Sequence, residues 1–115
     1  MTSEGARAEA LAAAYLERQG LAIVARNLRT RLGEIDVIAR DGPVLVFVEV
    51  RMRRSARFGG AAESITATKR ARLVAAANVY LARLGREPPY RFDAILMRSL
   101  DPDTIEWRRD VVGLD

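Results

Sequence analysis

The stretch from Gly33 to Arg51 constrains the fold of this chain more than any other segment. It is rich in β-branched, apolar residues and also carries acidic residues. Two runs rich in valine and isoleucine, 33–40 and 44–51, flank Asp41-Gly42-Pro43, whose composition is typical of a turn. The pattern predicts a β-hairpin with carboxylates in its strands. Those carboxylates require a physical explanation, since strand interiors seldom carry them.

The faces of the two strands decide whether the acids meet. Strand side chains alternate between faces, so Glu34 and Asp36 share one face, and Glu49 and Arg51 share one on the second strand. A four-residue loop, 41–44, places Asp36 opposite Glu49 and Glu34 opposite Arg51. A two-residue loop shifts the pairs but keeps the face, whereas a three-residue loop separates them.

Opposed carboxylates are destabilising unless a positive charge lies between them. A hard cation such as Mg²⁺ takes oxygen ligands from one or two carboxylates, water and substrate phosphate, which suits Asp36 and Glu49. The alternative is a cross-strand ion pair between Glu34 and Arg51, with Glu49 solvated near the strand end.

Size and composition limit the classes of function. With 115 residues, the chain fits a single domain, 1–115, and no segment is apolar enough to cross a membrane or to resemble a signal peptide, which predicts a soluble, cytoplasmic protein. The absence of Cys and His excludes thiol nucleophiles, imidazole bases and Cys/His zinc sites. The net charge of +4 favours a polyanionic partner.

Two amphipathic helices are predicted, each carrying a charged residue beside its apolar face. Ser3 caps a helix over 4–19, in which Glu9 lies next to the apolar stripe; the alternative is a solvated first-turn acid. Thr66 caps a second helix that ends near Leu84 and carries Lys69, the only lysine, on its apolar face. Lys69 points either toward the sheet edge or, past a buried stem, into water.

The remaining segments complete an α/β pattern. Strands are predicted over 21–25, 91–97 and 104–108, with a basic connector after the first and a basic, glycine-ended loop over 52–60. A tail from about residue 110 is expected to fray. The order αβββαββ predicts a mixed sheet of about five strands flanked by two helices.

Several segments together resemble a known family. They span Gly5 to about Trp107 and resemble the YraN-like family of small bacterial proteins; they are Gly33-Glu34-Ile35-Asp36, Phe47-Val48-Glu49-Val50-Arg51, Phe58-Gly59, Lys69 and Arg91-Phe92-Asp93. That family is similar to the restriction-endonuclease-like fold of PD-(D/E)xK nucleases, especially archaeal Holliday junction resolvases. The resemblance implies a fold and a site.

The resemblance implies a metal site for Mg²⁺ or Mn²⁺. Asp36 falls at the first acid of the motif, Glu49 at the second, and Glu9 at the helical glutamate, with the Val50 carbonyl as a further ligand. Arg51 stands where the motif has lysine, and the first helix reads Ala8-Glu9 where the family usually has Gly-Glu. Arginine keeps the positive charge but cannot readily act as a base.

The replacement of the motif lysine by Arg51 leaves two interpretations. In the first, the protein is a metal-dependent nuclease acting on DNA rather than RNA, including branched or damaged DNA, with Arg51 as an electrostatic clamp or Lys69 in the lysine role. In the second, the fold survives as a non-catalytic nucleic-acid-binding module. Both involve backbone phosphate contacts from basic side chains, for which the candidates are Arg31, Arg53, Arg54, Arg57 and Arg70.

Two further alternatives come from other functional classes. A protein-interaction scaffold would expose an apolar patch near Tyr90, Phe92 or Trp107. A two-carboxylate glycosidase fits less well, because a chain this short has little room for a sugar cleft. Resolvase-type cutting of two strands would in addition require a homodimer.

Overall fold

A mixed five-stranded sheet with a long helix on each face forms the centre of a computed structural model that describes residues 3–55 and 60–112. The element order confirms the predicted α/β class and adds a short helix, α2, which begins at Gly60, the last residue of the predicted loop. In chain order, the elements are α1 (Glu4–Arg18), β1 (Ala22–Arg29), β2 (Glu34–Asp41), β3 (Val44–Met52), α2 (Gly60–Glu63), α3 (Ala67–Leu84), β4 (Tyr90–Met97) and β5 (Glu106–Arg108).

The strands lie side by side in chain order, β1 to β5, and only the β3–β4 pair is parallel. α3 lies in the connection between these two parallel strands, as a crossover requires. In the hairpin, Arg40 pairs with Leu45, the register expected for the four-residue loop. The last β2–β3 pair is Val37 with Val48. Asp36 and Glu49 are the next residues beyond this pair, one on each strand.

Strand β1 is longer than its composition predicted. The pairing with β2 continues to Arg29, which lies opposite Glu34, so residues 26–29 belong to the strand and not to a connector. Arginines are accommodated there because β1 is an edge strand whose alternate side chains reach water. An irregularity in register between Ile23 and Ala25, together with positive φ at Asn27 (57°), interrupts the regular edge.

Each long helix buries one apolar stripe against the sheet. α1 packs small residues and Leu16 against one face, which includes Val48, whereas α3 packs Leu73 over Phe47 on the other. Both predicted caps are confirmed, since Ser3 accepts the Ala6 N–H and Thr66 accepts the Lys69 N–H. Within the described residues, no helix is both long and apolar enough to cross a bilayer.

The C-terminal segment differs from its prediction. A single 3₁₀ turn, Pro102–Thr104, capped by Asp101, shortens the last strand to Glu106–Arg108. Within the segment expected to fray from about residue 110, the Val111 N–H donates to the Phe92 carbonyl at 2.7 Å, and Val111 and Val112 pack on the α3 side of the core. A backbone contact with β4 therefore anchors this segment.

Candidate active site

An open cavity of about 670 Å³ lies where the β2–β3 pairing ends. Its walls come from the first turns of α1 and α3, the turn between β1 and β2, the start of β2 and the end of β3. Eight of the residues singled out from the sequence line it, namely Glu9, Arg31, Asp36, Glu49, Val50, Arg51, Arg53 and Lys69. The fold therefore brings together residues from four separate segments of the chain.

Asp36 lies next to Val37, the last residue of β2 that pairs with β3, and its side chain reaches the backbone of β3. Its Oδ2 accepts the Val50 N–H at 2.8 Å, so the amide of Val50 holds this carboxylate in place. Burial raises the pKa of Asp36, although the Val50 hydrogen bond and the charge of Arg51 act in the opposite direction. Asp36 thus keeps a half-buried carboxylate fixed to the backbone of β3.

Glu49 is the most strongly perturbed acid of the cavity. Burial, followed by the negative charge of Asp36, raises the pKa of Glu49 to about 7, although Arg51 and Lys69 oppose the rise. Its Oε1 lies 2.9 Å from Arg51 Nη2, and its side chain is 13% exposed. The alternative that Glu49 is a solvated strand-end residue is therefore wrong.

The alternative ion pair between Glu34 and Arg51 is also wrong. Glu34 contacts Arg29 at 3.9 Å, because these two residues lie directly opposite each other in the β1–β2 pairing, while Arg51 contacts Glu49. The Arg51 Nε atom is buried without a hydrogen-bond partner among the described residues. Buried donors of this kind are usually paired with an acceptor from the protein or from water.

Glu9 faces the same cavity from α1. Burial, with the charge of Asp36 second, raises the pKa of Glu9, which indicates that it faces Asp36 and is not simply a solvated helix acid. Over residues 3–55 and 60–112, however, no group of three or more acidic side chains is close enough to hold a metal ion as it stands. Glu9 therefore does not complete a three-carboxylate cluster with Asp36 and Glu49.

The donor set of the two central acids nevertheless suits a hard cation. Asp36 and Glu49 each engage a protein donor through one carboxylate oxygen, and the charge of Asp36 raises the pKa of Glu49. One or two carboxylates completed by water and phosphate form a common protein environment for Mg²⁺. A divalent cation would relieve the repulsion that the two acids impose on each other.

The chain matches a family model over most of its length. The model of the uncharacterised protein family UPF0102 matches residues 8–97. The chain belongs to this family. It is 54% identical over 110 residues to a UPF0102 protein of Methylobacillus flagellatus, with 96% of both chains covered. It is 51% identical over 108 residues to a UPF0102 protein of Nitrosomonas europaea, with 94% of this chain and 92% of the relative covered.

Lys69 of this UPF0102 chain belongs to the same cavity as the two acids. It lines the cavity, and its charge lowers the pKa of Glu49. Partial burial, followed by the positive charges of Arg51 and Arg53, lowers the pKa of Lys69 itself. A lysine with a lowered pKa is better suited to proton transfer than the neighbouring arginine.

The predicted phosphate-contacting arginines divide into two groups. Arg31 and Arg53 line the cavity, whereas Arg54 and Arg70 do not, and Arg54 pairs with Glu4 at 2.6 Å. Arg57 lies outside the described residues, as does the Phe58-Gly59 segment of the resemblance.

Sequence reasoning missed two features of the cavity wall. One is Arg72, which lies three residues after Lys69 and therefore on a neighbouring part of the same helix surface. The other is the turn over 30–33 between β1 and β2. The i, i+3 spacing from Lys69 is a sequence signal that could have indicated Arg72. The turn was not predicted because its stretch was interpreted as a connector.

Proposed function

We propose that the protein is a metal-dependent nuclease-like enzyme that hydrolyses phosphodiester bonds in DNA. The observation that carries this proposal is the pair of half-buried carboxylates, Asp36 and Glu49, in an open cavity that also has a basic wall. Acids that bind a divalent cation, beside cations that bind phosphate, are the combination that such a reaction requires. Membership of the UPF0102 family is compatible with the proposal. The likeness to PD-(D/E)xK nucleases is a resemblance of sequence motifs and supports the proposal only as such.

Each residue has a specific role in this proposal. Asp36 and Glu49 hold Mg²⁺ or Mn²⁺, with the Val50 carbonyl and, through water, Glu9 as additional ligands. When bound, the ion supplies Lewis-acid chemistry at the scissile phosphate. Arg51 stabilises negative charge on the phosphate, and Lys69, whose pKa is lowered, takes the role of the motif lysine.

The basic wall contacts the DNA backbone on either side of the reacting phosphate. Arg31, Arg53 and Arg72 provide exposed guanidinium groups for these contacts, which position DNA without reading its sequence. Cutting of two strands by a resolvase-type reaction would further require a symmetric homodimer.

A second candidate function is a non-catalytic nucleic-acid-binding module. The 2.9 Å contact between Arg51 and Glu49 favours it, because a guanidinium already neutralises part of the charge that a cation would neutralise. The interaction scaffold has less support, since Phe92 is buried and Trp107 half-buried, which leaves Tyr90 as the exposed member of the expected patch.

The test is cleavage of labelled single-stranded, duplex, flapped and four-way-junction DNA with Mg²⁺ or Mn²⁺. We expect cleavage by the wild type and its loss in Asp36→Asn, whose side-chain oxygen can still accept the Val50 N–H. Glu17→Gln, an exposed residue of α1 outside the cavity, is the control. If DNA is not cut but is bound with a steep dependence on salt and none on metal, the binding module is the correct function.

A further inference from the structure

The turn over 30–33 carries an exposed leucine into the wall of the carboxylate cavity. Three large hydrophobic residues are exposed in the described part of the chain, Val24, Leu32 and Tyr90, and Leu32 is the most exposed at 53%. Of these three, Leu32 alone lines the cavity that contains Asp36. A single exposed leucine is ordinary on a protein surface, so the argument depends on how this one is held.

Hydrogen bonds from within the turn hold its backbone. Thr30 Oγ1 accepts the N–H groups of Leu32 and Gly33, both at 3.1 Å, and donates to the Gly33 carbonyl at 2.9 Å. The Thr30 N–H donates to the same carbonyl, also at 2.9 Å. The leucine therefore projects from a turn with four internal hydrogen bonds, two of which fix the backbone on either side of its side chain.

Contact with α3 fixes the turn from outside. A Cβ atom at Gly33 would lie 2.4 Å from the Arg72 carbonyl oxygen, so the turn backbone packs directly on the backbone of α3. Arg72 and Lys69, from the same helix, line the cavity beside Leu32. An exposed apolar side chain on a fixed backbone therefore lies among basic side chains.

Resting on the proposed function, we propose that Leu32 is a wedge that inserts between stacked bases, so that the cavity binds DNA at an unstacked step, such as a branch point or a junction of single and double strands. Proteins that distort DNA insert apolar side chains, leucine among them, between base steps, while basic residues hold the adjacent backbone. Unstacking costs a few kcal/mol in continuous duplex and least where bases are already unpaired. Leu32 thereby determines which DNA structure the cavity accepts.

The test measures base unstacking in EDTA, so that hydrolysis does not enter. DNA forks and matched continuous duplexes carry 2-aminopurine at the branch point or at the equivalent duplex position, and its fluorescence rises when stacking is lost. We expect the wild type to bind the fork about tenfold more tightly than the duplex and to increase the fluorescence of the fork. Leu32→Ser should lose most of the fork preference and most of the fluorescence increase.

Two variants separate the wedge from general effects. Leu32→Met, which keeps an apolar side chain, should restore the fluorescence rise. Val24→Ser, which removes an exposed hydrophobic residue outside the cavity, should behave as wild type. Equal fluorescence and equal fork preference in Leu32→Ser and wild type would overturn the proposal, and so would the absence of any DNA binding.

The wedge and the hydrolysis can fail separately. If Leu32-dependent unstacking occurs in EDTA but no DNA is cleaved with Mg²⁺ or Mn²⁺, the wedge stands and the nuclease reaction is rejected. If DNA is cleaved in an Asp36-dependent manner and Leu32→Ser unstacks the fork normally, the nuclease stands and the wedge is rejected.

Discussion

One fully buried acid and one pair of half-buried acids lie in this sheet, and their surroundings differ. Asp93 on β4 is fully buried, and Arg91 Nε, Trp107 Nε1 and the Asp110 N–H all donate to its carboxylate at 2.9 to 3.2 Å. Asp36 and Glu49 instead lie at an open cavity, where the negative charge of Asp36 raises the pKa of Glu49. An acid that stabilises the fold is surrounded by donors from the protein, whereas an acid kept for an external partner is left with incomplete compensation.

The comparison predicts its largest effect at Asp93. Asp93→Ala should lower the free energy of unfolding by about 3 to 5 kcal/mol, because it removes a fully buried carboxylate and leaves the half-buried donors Arg91 Nε and Trp107 Nε1 without this acceptor. Urea denaturation followed by far-ultraviolet circular dichroism measures the loss. The control Asp103→Ala removes an exposed carboxylate and should cost less than about 0.5 kcal/mol. If the two variants lost equal stability, the structural role of Asp93 would be wrong.

The second prediction concerns Glu49, whose ionised carboxylate should lower the free energy of unfolding, whereas Asp93 raises it. Its pKa is about 7 in the folded protein against an ordinary 4.5, so the folded state binds more protons between these values and the free energy of unfolding falls as the pH rises from about 4.5 to 7. The fall is up to about 3 kcal/mol. Glu49→Gln cannot ionise and should lack it, which makes the variant more stable than wild type by about 1 to 3 kcal/mol at pH 8.

Urea denaturation at pH 5 and at pH 8 measures this difference. At pH 5, the wild type and Glu49→Gln should have nearly equal free energies of unfolding. Glu49 is then protonated in the folded state and still accepts a hydrogen bond from Arg51. Glu17→Gln, whose side chain is exposed outside the cavity, should not change with pH relative to wild type. A Glu49→Gln variant that is less stable than wild type at pH 8 would show that the ion pair with Arg51 outweighs the cost of burying the charge.

Much of the fold could be predicted because its signals are local. Thr66 and the apolar period predicted α3 to within a residue, and Asp41-Gly42-Pro43 predicted the hairpin that brings Asp36 and Glu49 to one end of two strands. The extent of β1 could not be predicted, since its second half is polar and owes its strand structure to pairing with β2. The anchored tail depends on one backbone hydrogen bond from Val111 to another strand, which no sequence pattern reveals.

The site was predictable to the same degree and for the same reasons. The central acids, Asp36 and Glu49, follow from strand alternation and hairpin register, and Lys69 from its place on the apolar face of α3. Arg72 was missed because its position depends on how α3 packs against the turn at Gly33. The role of Asp93 was missed because two of its three donors, Trp107 and Asp110, come from the C-terminal segment and not from β4.

The smallest predicted effect discriminates best between the two acid groups. Mg²⁺ or Mn²⁺ at ten times its dissociation constant should raise the free energy of unfolding of the wild type by about 1.4 kcal/mol at pH 8. The gain should shrink at pH 5.5, because Glu49, with a pKa of about 7, is then mostly protonated and binds a cation weakly. Asp36→Asn should abolish the gain, whereas Asp103→Asn, at an exposed site outside the cavity, should retain it.

Thermal unfolding with increasing metal concentration measures this gain, and sodium chloride at equal ionic strength separates site binding from screening. If the wild type gains nothing at pH 8, Arg51 already supplies the positive charge that the two acids need, and the binding module replaces the nuclease. If the metal raises the free energy of unfolding of Asp36→Asn as much as that of the wild type, the cation binds elsewhere. Metal binding would then not explain the difference between Asp36 and Asp93. A gain that requires both Asp36 and a deprotonated Glu49 is expected only if the incomplete compensation of these acids serves a bound cation.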